Sequence, residues 1–593
     1  METVNFPKMA HSEEAEPRDA EFDVVVVGSG AGAMVAALRA QEHGLTCVVV
    51  EKAPQYGGTT ATSGGCVWIP ANDEIPDDTP DAALTYLKTI IGKDADDEAL
   101  RAFISNGAAV IRHVERYGLK FFSVPGYPDY YSDAPGATTA RSMLPHNMDG
   151  ALLGDDFFQM RDSNAMSVGK TRYALDFVTA AVLPGRLPGW RRAALSMLAR
   201  YWSDIGWRRK TRRDRLLVMG RALIGPLRKA MRDRAIPLWL NTELVGLEKQ
   251  HGRVSAALCR HRGEHIRIGA RRAVILTAGG YEQNQEMRDK FMPIPVNQNT
   301  SLTPHGGNTG DAIRIGHEAG GALAGMSQVW WAPCVRLPLE LYPNVHLAHG
   351  LIFERGRPHS MIVNRRGKRY TNEACSYDRF GLAMIEEEKR TGAANPSWMI
   401  FDASFRKKNS VGGGGLLPSW IMPDRRVPRE WWDNVIYRSD SLAGLASKIG
   451  VPRDALEASV EEMNRFARTG VDERFGRGSF AYDQFLGEQG WKPNSSLGPI
   501  ETGPFYAVPV DLGDLGTKGG LKVNGSAQVL DKEGRTVDGL YAVGNTACSL
   551  FGNTYPGAGA TLGPAMTFGF LASEHIAHFG SSDLVSTVED IAL

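Results

Sequence analysis

The sequence predicts an α/β protein in which a parallel sheet flanked by helices is interrupted by an inserted α+β domain. An apolar run at 24–27 ends at a glycine-rich turn, and an Ala/Leu-rich helical segment at 33–41 follows. A second apolar run, 46–50, leads into an acidic residue, and strand-like segments that end in glycine return at 272–280 and 539–545. The order of strand, glycine turn, helix, strand and acid is that of a Rossmann-like dinucleotide-binding unit.

Each residue type at the turn has a physical role in binding a dinucleotide. Gly28 permits the tight turn, Gly30 allows the main chain to approach a pyrophosphate, and Ala33 lets the helix pack on the strand. The first turn of the helix offers free N–H groups and the positive end of its dipole to phosphate. Glu51 can accept hydrogen bonds from a ribose diol.

The loop behind Glu51 decides which dinucleotide is expected. Residues 57–65 combine four glycines with several hydroxyl side chains. A flavin extends beyond the pyrophosphate and requires further close contact with main chain, so we predict FAD rather than NAD. The loop carries no recognisable histidine attachment motif, which predicts non-covalent binding.

Later glycine-ended strands and the final helix extend the predicted FAD site, because ligands bind at the carboxyl edge of such a sheet and near helix N-termini. The predicted FAD-binding residues are Gly28, Ser29, Gly30, Ala31, Gly32, Ala33, Glu51, Lys52, Gly58, Thr59, Thr60, Ser63, Gly64, Gly65, Val245, Ala278, Gly279, Gly280, Asn308, Gly544, Asn545, Thr561 and Leu562.

Composition narrows the function classes. The formal net charge is zero over 593 residues, and no nucleic-acid-binding motif occurs, so nucleic acid is not an expected partner. The six cysteines form no CxxC pair, which argues against zinc, iron–sulfur clusters and a disulfide framework, and no metal is predicted. No apolar stretch reaches the roughly 20 residues that span a bilayer. The expectation is a cytoplasmic protein that at most lies on a membrane.

The chain is too long for a single core, and changes in pattern suggest where it divides. The expected organisation is a polar, acidic and disordered tail at 1–21, a first part of the FAD-binding domain at 22–325, a catalytic domain at 326–514 and a returning FAD-binding segment at 515–593.

One segment, 184–234, is strongly basic: fifteen Lys and Arg stand against three Asp. An apolar stripe at helical spacing runs through Trp190, Ala194, Leu198, Trp202 and Ile205. Two interpretations have equal support: a cationic amphipathic helix that lies among anionic lipid headgroups, and a surface helix docked by its stripe. The membrane interpretation assigns the interface to Trp190, Leu198, Trp202 and Trp207 and the headgroups to Arg191, Arg192, Arg208, Arg209, Lys210, Arg212 and Arg213.

Eight segments, two of them in the nucleotide motif described above, carry a resemblance to a known family: 26–30, 51–58, 65–70, 128–131, 308–311, 377–381, 513–520 and 555–559. With these motifs the sequence resembles the FAD-dependent 3-ketosteroid Δ1-dehydrogenases, within the fumarate-reductase-like flavoproteins, from about Phe22 to Phe579. The nucleotide motifs are shared by many flavoproteins, whereas Asp129-Tyr130-Tyr131 and Tyr555-Pro-Gly-x-Gly are far more specific.

The resemblance implies a role for four residues. Tyr555 and the backbone N–H of Gly559 would hydrogen-bond the C3 carbonyl of a 3-ketosteroid, Tyr377 would take the C2 proton with help from Tyr130, and the flavin N5 would accept hydride from C1. Ala558 and Thr62 depart from the common family residues, proline and arginine, but neither is a proposed chemical group. The electron acceptor, a quinone or another oxidant, stays open.

Two alternatives remain at this stage. One is another flavin oxidoreductase of the same superfamily, either a 4-ene steroid dehydrogenase or a fumarate- or urocanate-type reductase. The carboxylate reductases need Arg and His side chains around a dicarboxylate, and no such cluster is recognised in the sequence. The other is a non-catalytic flavin-binding membrane scaffold that acts through the basic segment.

Overall fold

The structure, a computed structural model, describes residues 19–163, 167–168, 173–183, 188–337 and 347–579. Most of the predicted tail (1–18), the first four residues of the basic segment (184–187) and the end of the returning segment (580–593) lie outside the described residues.

Strands and helices alternate in the first part of the chain and separate into groups later. In chain order the strands are β1 Ala20–Val27, β2 Cys47–Val50, β3 Val67–Trp68, β4 Phe121–Ser123, β5 Ser142–Pro145, β6 Met148–Asp149, β7 Ser167–Val168, β8 Tyr173–Ala174, β9 Leu216–Leu217, β10 Leu238–Trp239, β11 Thr242–Gln250, β12 Arg253–His261, β13 Glu264–Leu276, β14 Leu323–Ala324, β15 Val329–Leu337, β16 Leu347–Gly350, β17 Ser360–Val363, β18 Ser397–Phe401, β19 Tyr437–Ser439, β20 Phe505–Thr517, β21 Gly520–Leu521, β22 Gln528–Leu530 and β23 Thr536–Ala542. The α-helices are α1 Ala31–Glu42, α2 Gly58–Thr62, α3 Pro80–Ile91, α4 Asp97–Glu115, α5 Asp156–Gln159, α6 Phe177–Val182, α7 Trp190–Ser203, α8 Ile205–Lys210, α9 Met219–Asp233, α10 Gln285–Phe291, α11 Asp311–Glu318, α12 Tyr377–Thr391, α13 Ala403–Lys408, α14 Leu442–Ile449, α15 Arg453–Thr469, α16 Ala481–Leu486 and α17 Leu562–Phe579.

The first domain is built on a parallel sheet of order β10-β2-β1-β13-β23, which β12 and β11 extend in the antiparallel sense from the other half of β13. This confirms the predicted α/β class. In β1, Val24 and Val26 face the core that contains α1 and α17, while Val25 and Val27 face the core that contains α11. Both faces of the strand are therefore covered, and this is why it reads as a continuous apolar run.

The start of the first domain differs from the prediction by two residues. β1 begins at Ala20, and Glu21 and Phe22 pair with Gly269 and Ala270 of β13. The strand therefore begins two residues before the expected domain start at Phe22, because the polar residue Glu21 looks like tail in the sequence alone.

The second domain is an antiparallel sheet of order β16-β15-β20-β18-β17, with β19 paired to β20 and with α12 and α15 packed nearby. Its long strand β20 continues to Thr517, three residues past the predicted boundary at Asp514. β20 leads directly into the returning segment of the first domain, and α12 packs on β15 and β20.

The basic segment forms two exposed helices and one buried helix instead of a single amphipathic helix. Asp204 ends α7 and caps α8 by accepting from the Trp207 N–H, so Ile205 lies on a different helix from the rest of the predicted stripe. Trp207 is buried, with its ring centroid 4.8 Å from that of Phe157, so its predicted place at a membrane interface is wrong. α9 packs on the FAD loop: a Cβ on Gly220 would lie 1.8 Å from the Thr60 carbonyl oxygen.

Candidate active site

Three of the tyrosines singled out in the sequence meet in one buried cluster. The Tyr130 hydroxyl donates a hydrogen bond of 2.9 Å to the Tyr377 hydroxyl oxygen. The ring centroid of Tyr555 lies 5.3 Å from both Tyr130 and Tyr377. All three side chains are at most 4% exposed. Each buried hydroxyl must be hydrogen-bonded or used, so three phenols in one buried cluster make this a candidate reaction site.

Tyr130 is fixed by the residue before it. The fully buried Asp129 carboxylate accepts from Trp68 Nε1 at 2.8 Å and from Arg141 Nη1 at 2.7 Å. Burial raises the pKa of Asp129 to about 6, against the lowering effect of Arg141. The Tyr130 N–H donates to the Pro556 carbonyl, which ties this loop directly to the loop of Tyr555.

Tyr377 and Tyr555 come from opposite domains. Tyr377 is the first residue of α12, in the second domain, and Tyr555 stands in the loop before α17, in the first. The cluster therefore lies where the domains meet, which is a common place for a ligand pocket.

The electrostatics of Tyr377 contain two opposing effects. Burial, supplemented by the neighbouring phenols Tyr555 and Tyr127, raises the pKa of Tyr377 well above its ordinary value. The hydrogen bond from Tyr130 acts in the other direction, because it stabilises the phenolate. Burial is the larger effect, so the phenolate of Tyr377 is a stronger base than that of an ordinary tyrosine, and it forms less readily.

Gly559 offers a donor beside this cluster. Its N–H forms no hydrogen bond to any other residue that the structure describes. Its φ of +98° favours glycine, and a Cβ would lie 2.5 Å from the carbonyl of Cys66. The position therefore requires glycine, and it lies against Cys66 and Val67, which directly follow the loop 57–65.

The residues of the predicted FAD site fit the cofactor. A Cβ at Gly30 would meet only Thr60 Oγ1, at 3.3 Å, and one at Gly58 would meet only Gly30, at 3.9 Å. At Gly64 nothing lies within 4 Å. Gly32, in contrast, packs directly on Ala565 of α17. Gly58 and Gly64 thus border open space that part of an FAD can fill, Gly30 leaves room for little beyond Thr60, and Gly32 allows helix packing.

Ser29 and Glu51 join the elements of this cradle. The Ser29 hydroxyl donates to Glu51 Oε2 at 2.6 Å and accepts from the Gly57 N–H at 3.0 Å. The other carboxylate oxygen, Oε1, accepts from the Ala53 N–H at 2.9 Å. Each oxygen keeps a further lone pair, as a ribose diol requires. Thr60 Oγ1 accepts from the Ala31 N–H at 3.3 Å, at the first turn of α1.

A polar cluster on the far side of the cradle includes a residue that the sequence analysis missed. Asn308 Nδ2 donates to Thr59 Oγ1 at 2.7 Å and to Glu282 Oε1 at 2.6 Å. Glu282 is fully buried, and burial raises its pKa to about 7. Glu282 follows the strand-end glycines Gly279 and Gly280 by two residues, and that position was the available signal.

The other predicted FAD residues occupy the same edge of the sheet. Val245 is an extra residue at a bulge between β11 and β12, and Asn545 accepts from Trp330 Nε1 at 3.1 Å. Lys52 donates to Thr309 and Asp311 at 2.6 and 2.8 Å, so its ammonium holds the Asn308 turn. Ser63, Gly65, Ala278, Gly544, Thr561 and Leu562 lie at the loop, strand end and helix start where they were expected.

The tyrosine cluster has further buried neighbours. The Trp330 ring centroid lies 4.7 Å from that of Tyr555, and the Tyr482 ring centroid lies 5.1 Å from that of Tyr130. Asp378 and Lys518 are fully buried close by. Asp378 and Lys518 fall in segments already singled out in the sequence, but no physical reason in the sequence marked these side chains or Trp330.

Residues 23–562 match the family described as FAD binding domain. Together with the cradle, this defines the protein as an FAD-binding flavoprotein. The chain is 40% identical over 574 residues to a 3-oxosteroid 1-dehydrogenase of Mycobacterium tuberculosis. The matched region covers 94% of this chain and 98% of that protein. The chain belongs to the 3-oxosteroid 1-dehydrogenase family.

Two other comparisons frame this family. A crystal structure of a 3-ketosteroid Δ1-dehydrogenase from Sterolibacterium denitrificans, in complex with 1,4-androstadiene-3,17-dione, has a TM-score of 0.89 and 42% identity, over 94% of this chain and 99% of that one. A 4-oxocyclohexanecarboxylate 2-dehydrogenase of Sinomonas cyclohexanicum is 35% identical over 576 residues, covering 94% of this chain and 93% of that protein.

Two features are absent from the described part of the chain. No helix there is long and apolar enough to cross a bilayer. No group of three or more His, Cys, Asp or Glu side chains in the same residues could hold a metal ion.

Proposed function

We propose that this protein is a 3-ketosteroid Δ1-dehydrogenase, which removes hydrogen from C1 and C2 of a 3-ketosteroid. The carrying observation is the convergence of Tyr130, Tyr377 and Tyr555 in one buried cluster. The family of the chain supports the proposal, as does the steroid dienone bound to the similar Sterolibacterium enzyme.

The residues divide the reaction into carbonyl activation and proton removal. The Tyr555 hydroxyl and the Gly559 N–H donate hydrogen bonds to the C3 oxygen of the substrate and stabilise the negative charge that develops there. This makes the C2 hydrogen acidic. The Tyr377 phenolate accepts the C2 proton, and the Tyr130 hydroxyl donates to the Tyr377 oxygen. FAD, when bound, accepts the C1 hydrogen as hydride.

The burial of the cluster serves this chemistry. In a dry site the two donors act on the carbonyl without competition from water, and each hydrogen bond is stronger than in solvent. The same burial raises the pKa of Tyr377 and makes its phenolate a strong base. The Tyr130 hydrogen bond offsets part of that rise and so increases the fraction of phenolate.

Anaerobic flavin bleaching tests the proposal. The purified yellow protein, mixed without oxygen with androst-4-ene-3,17-dione, is expected to lose its flavin absorbance and to form a 1,4-diene-3-one. A matched steroid with a 3-hydroxyl group should leave the colour unchanged, because it cannot enolise. Bleaching only by 4-oxocyclohexanecarboxylate would assign the same chemistry to a smaller ketone, and no bleaching by either would favour a scaffold.

The FAD is proposed to be non-covalent. Acid precipitation should release free FAD into the supernatant, whereas colour retained on the pellet would contradict this.

We further propose that the protein docks on the cytoplasmic face of a membrane through α7 and α8. Four apolar side chains on these helices are 39–68% exposed: Leu195, Leu198, Trp202 and Ile205. Exposed cations surround them: Arg191, Arg192, Arg209, Lys210 and Arg212. Apolar side chains within a cationic rim suit an anionic lipid surface. Steroids partition into lipid, so a protein docked on a membrane could draw its substrate from it.

A further inference from the structure

A buried ion pair lies directly behind the tyrosine cluster. Asp378 and Lys518 are both fully buried, and Lys518 Nζ lies 3.5 Å from Asp378 Oδ1. Taking two charges out of water is costly, and a pair of apolar residues would often serve stability as well. A pair at this position therefore calls for a reason beyond stability.

Each member of the pair is attached to one of the reacting tyrosines. Asp378 follows Tyr377 in the first turn of α12. Lys518 Nζ donates 2.9 Å to the carbonyl oxygen of Thr554, the residue before Tyr555. The pair thus bridges two segments that come from different domains, each within one residue of a phenol in the cluster.

The same ammonium also contacts the wall of the site. Lys518 Nζ lies 4.5 Å from the ring centroid of Trp330, which in turn packs on Tyr555 and donates to Asn545 at the predicted flavin edge. The carboxylate of Asp378 lies close enough to Tyr131, the neighbour of Tyr130, to add to burial in raising the pKa of that phenol. All three tyrosine segments therefore meet at this pair.

We propose that Asp378 and Lys518 are positioning residues that hold the Tyr377 and Tyr555 hydroxyls at the spacing needed for carbonyl activation and proton removal. Neither residue touches the reacting atoms in this scheme. The inference rests on the proposed function, because it assigns the pair to the tyrosines that carry that function. Displacing a reacting group by about 1 Å can lower a rate about a hundredfold.

The test compares a neutralised pair with a control elsewhere in the protein. The double variant Asp378→Asn with Lys518→Met removes both charges together and leaves no unpaired buried ion. The matched control is Asp472→Asn, which makes the same substitution in another fully buried pair, 2.7 Å from Arg369 in the second domain. The measurements are melting temperature, bound FAD, kcat, KM and anaerobic exchange of the C2 hydrogens with deuterated solvent.

A positioning role predicts a split between these readouts. The double variant should fold and bind FAD, yet lose about a hundredfold in kcat and in C2 exchange, while KM changes by less than about threefold. The control should lower the melting temperature and leave exchange unchanged. If the double variant fails to fold, the neutral pair Asp378→Asn with Lys518→Gln, which keeps a donor for Thr554, should still lose about tenfold in kcat.

Two results would overturn the inference: wild-type exchange and kcat in the neutralised variant, or an equal loss in the control. Failure of the proposed function is separate, because it would show as absence of bleaching and exchange in the wild-type protein itself.

Discussion

The tyrosine cluster and the α7–α8 surface place residue types in opposite ways. In the cluster, polar phenols and a charged pair are buried, whereas on α7 and α8 large apolar side chains such as Trp202, 59% exposed, face solvent. Both arrangements cost free energy in an isolated soluble protein. Buried polar groups that converge on one point therefore indicate a reaction site. Exposed apolar side chains spread over a surface indicate a binding partner.

Among the variants of the tyrosine cluster, Tyr377→Phe should cause the largest loss of activity. The phenyl ring keeps the packing, but the proton acceptor is lost, so we expect near-normal steroid binding and a fall in kcat of several orders of magnitude, about 10³-fold or more. Rapid-mixing reduction of the flavin by a 3-ketosteroid measures this.

The control for that variant is Tyr506→Phe, which removes another buried phenol, hydrogen-bonded to Asp424 in the second domain. It should retain turnover. Turnover near the wild-type value in Tyr377→Phe would remove this residue from the mechanism.

Tyr555→Phe should have the next largest effect. It removes one of two donors to the developing oxyanion, with a loss of about 3 kcal/mol in the barrier, or about a hundredfold. Exchange of the C2 hydrogens with deuterated solvent should slow in parallel, because enolisation is the activated step. Unchanged exchange with failed dehydrogenation would give Tyr555 a different role.

Tyr130→Phe tests the balance that sets the pKa of Tyr377. The phenolate is the active form, so kcat/KM rises with pH below the pKa of Tyr377 and levels off above it. Burial already raises that pKa, and the hydrogen bond from Tyr130 lowers it. Removing the bond should raise it further, so the profile should move to more alkaline pH.

Tyr130→Phe removes a hydrogen bond to the ionised Tyr377 oxygen, and such a bond is worth about 1.5 kcal/mol or more. We therefore expect at least about a tenfold loss of kcat/KM at neutral pH in this variant. The loss should shrink as pH rises. A pH-independent loss would mean that Tyr130 acts on substrate placement and not on the base.

The sequence was sufficient for the parts of the fold governed by local rules. Gly28, Glu51 and the apolar runs around them obey fixed spacings, because a phosphate must meet a turn and a helix N-terminus. The three tyrosines came from motif resemblance, since no local rule brings Tyr130, Tyr377 and Tyr555 together from such distant positions.

Sequence reasoning failed where tertiary packing decides. The periodicity of the basic segment could not show that Asp204 would start a new helix, or that Trp207 would turn inwards onto Phe157. The roles of Glu282, Asp378 and Lys518 depend on neighbours far along the chain, and a single sequence carries no signal for such contacts.

Changes to the α7–α8 surface should have the smallest effect on turnover. Flotation with anionic liposomes should carry the protein upwards at low salt and less at high salt, because each cation near such a surface contributes about 1 kcal/mol and salt screens it.

Arg208 is unsuitable for substitution, since its guanidinium donates to the carbonyls of Arg212 and Arg213 and stacks on Tyr201. Arg209→Glu with Lys210→Glu changes exposed cations and should reduce binding at least about tenfold. The control Lys93→Glu with Lys532→Glu makes the same charge change at exposed sites elsewhere and should float like wild type. Turnover of a soluble steroid should be unaffected in both variants, because the chemistry lies in the buried cluster. Protein that stays at the bottom of the gradient at every salt concentration would show that Leu195, Leu198, Trp202 and Ile205 do not dock on lipid.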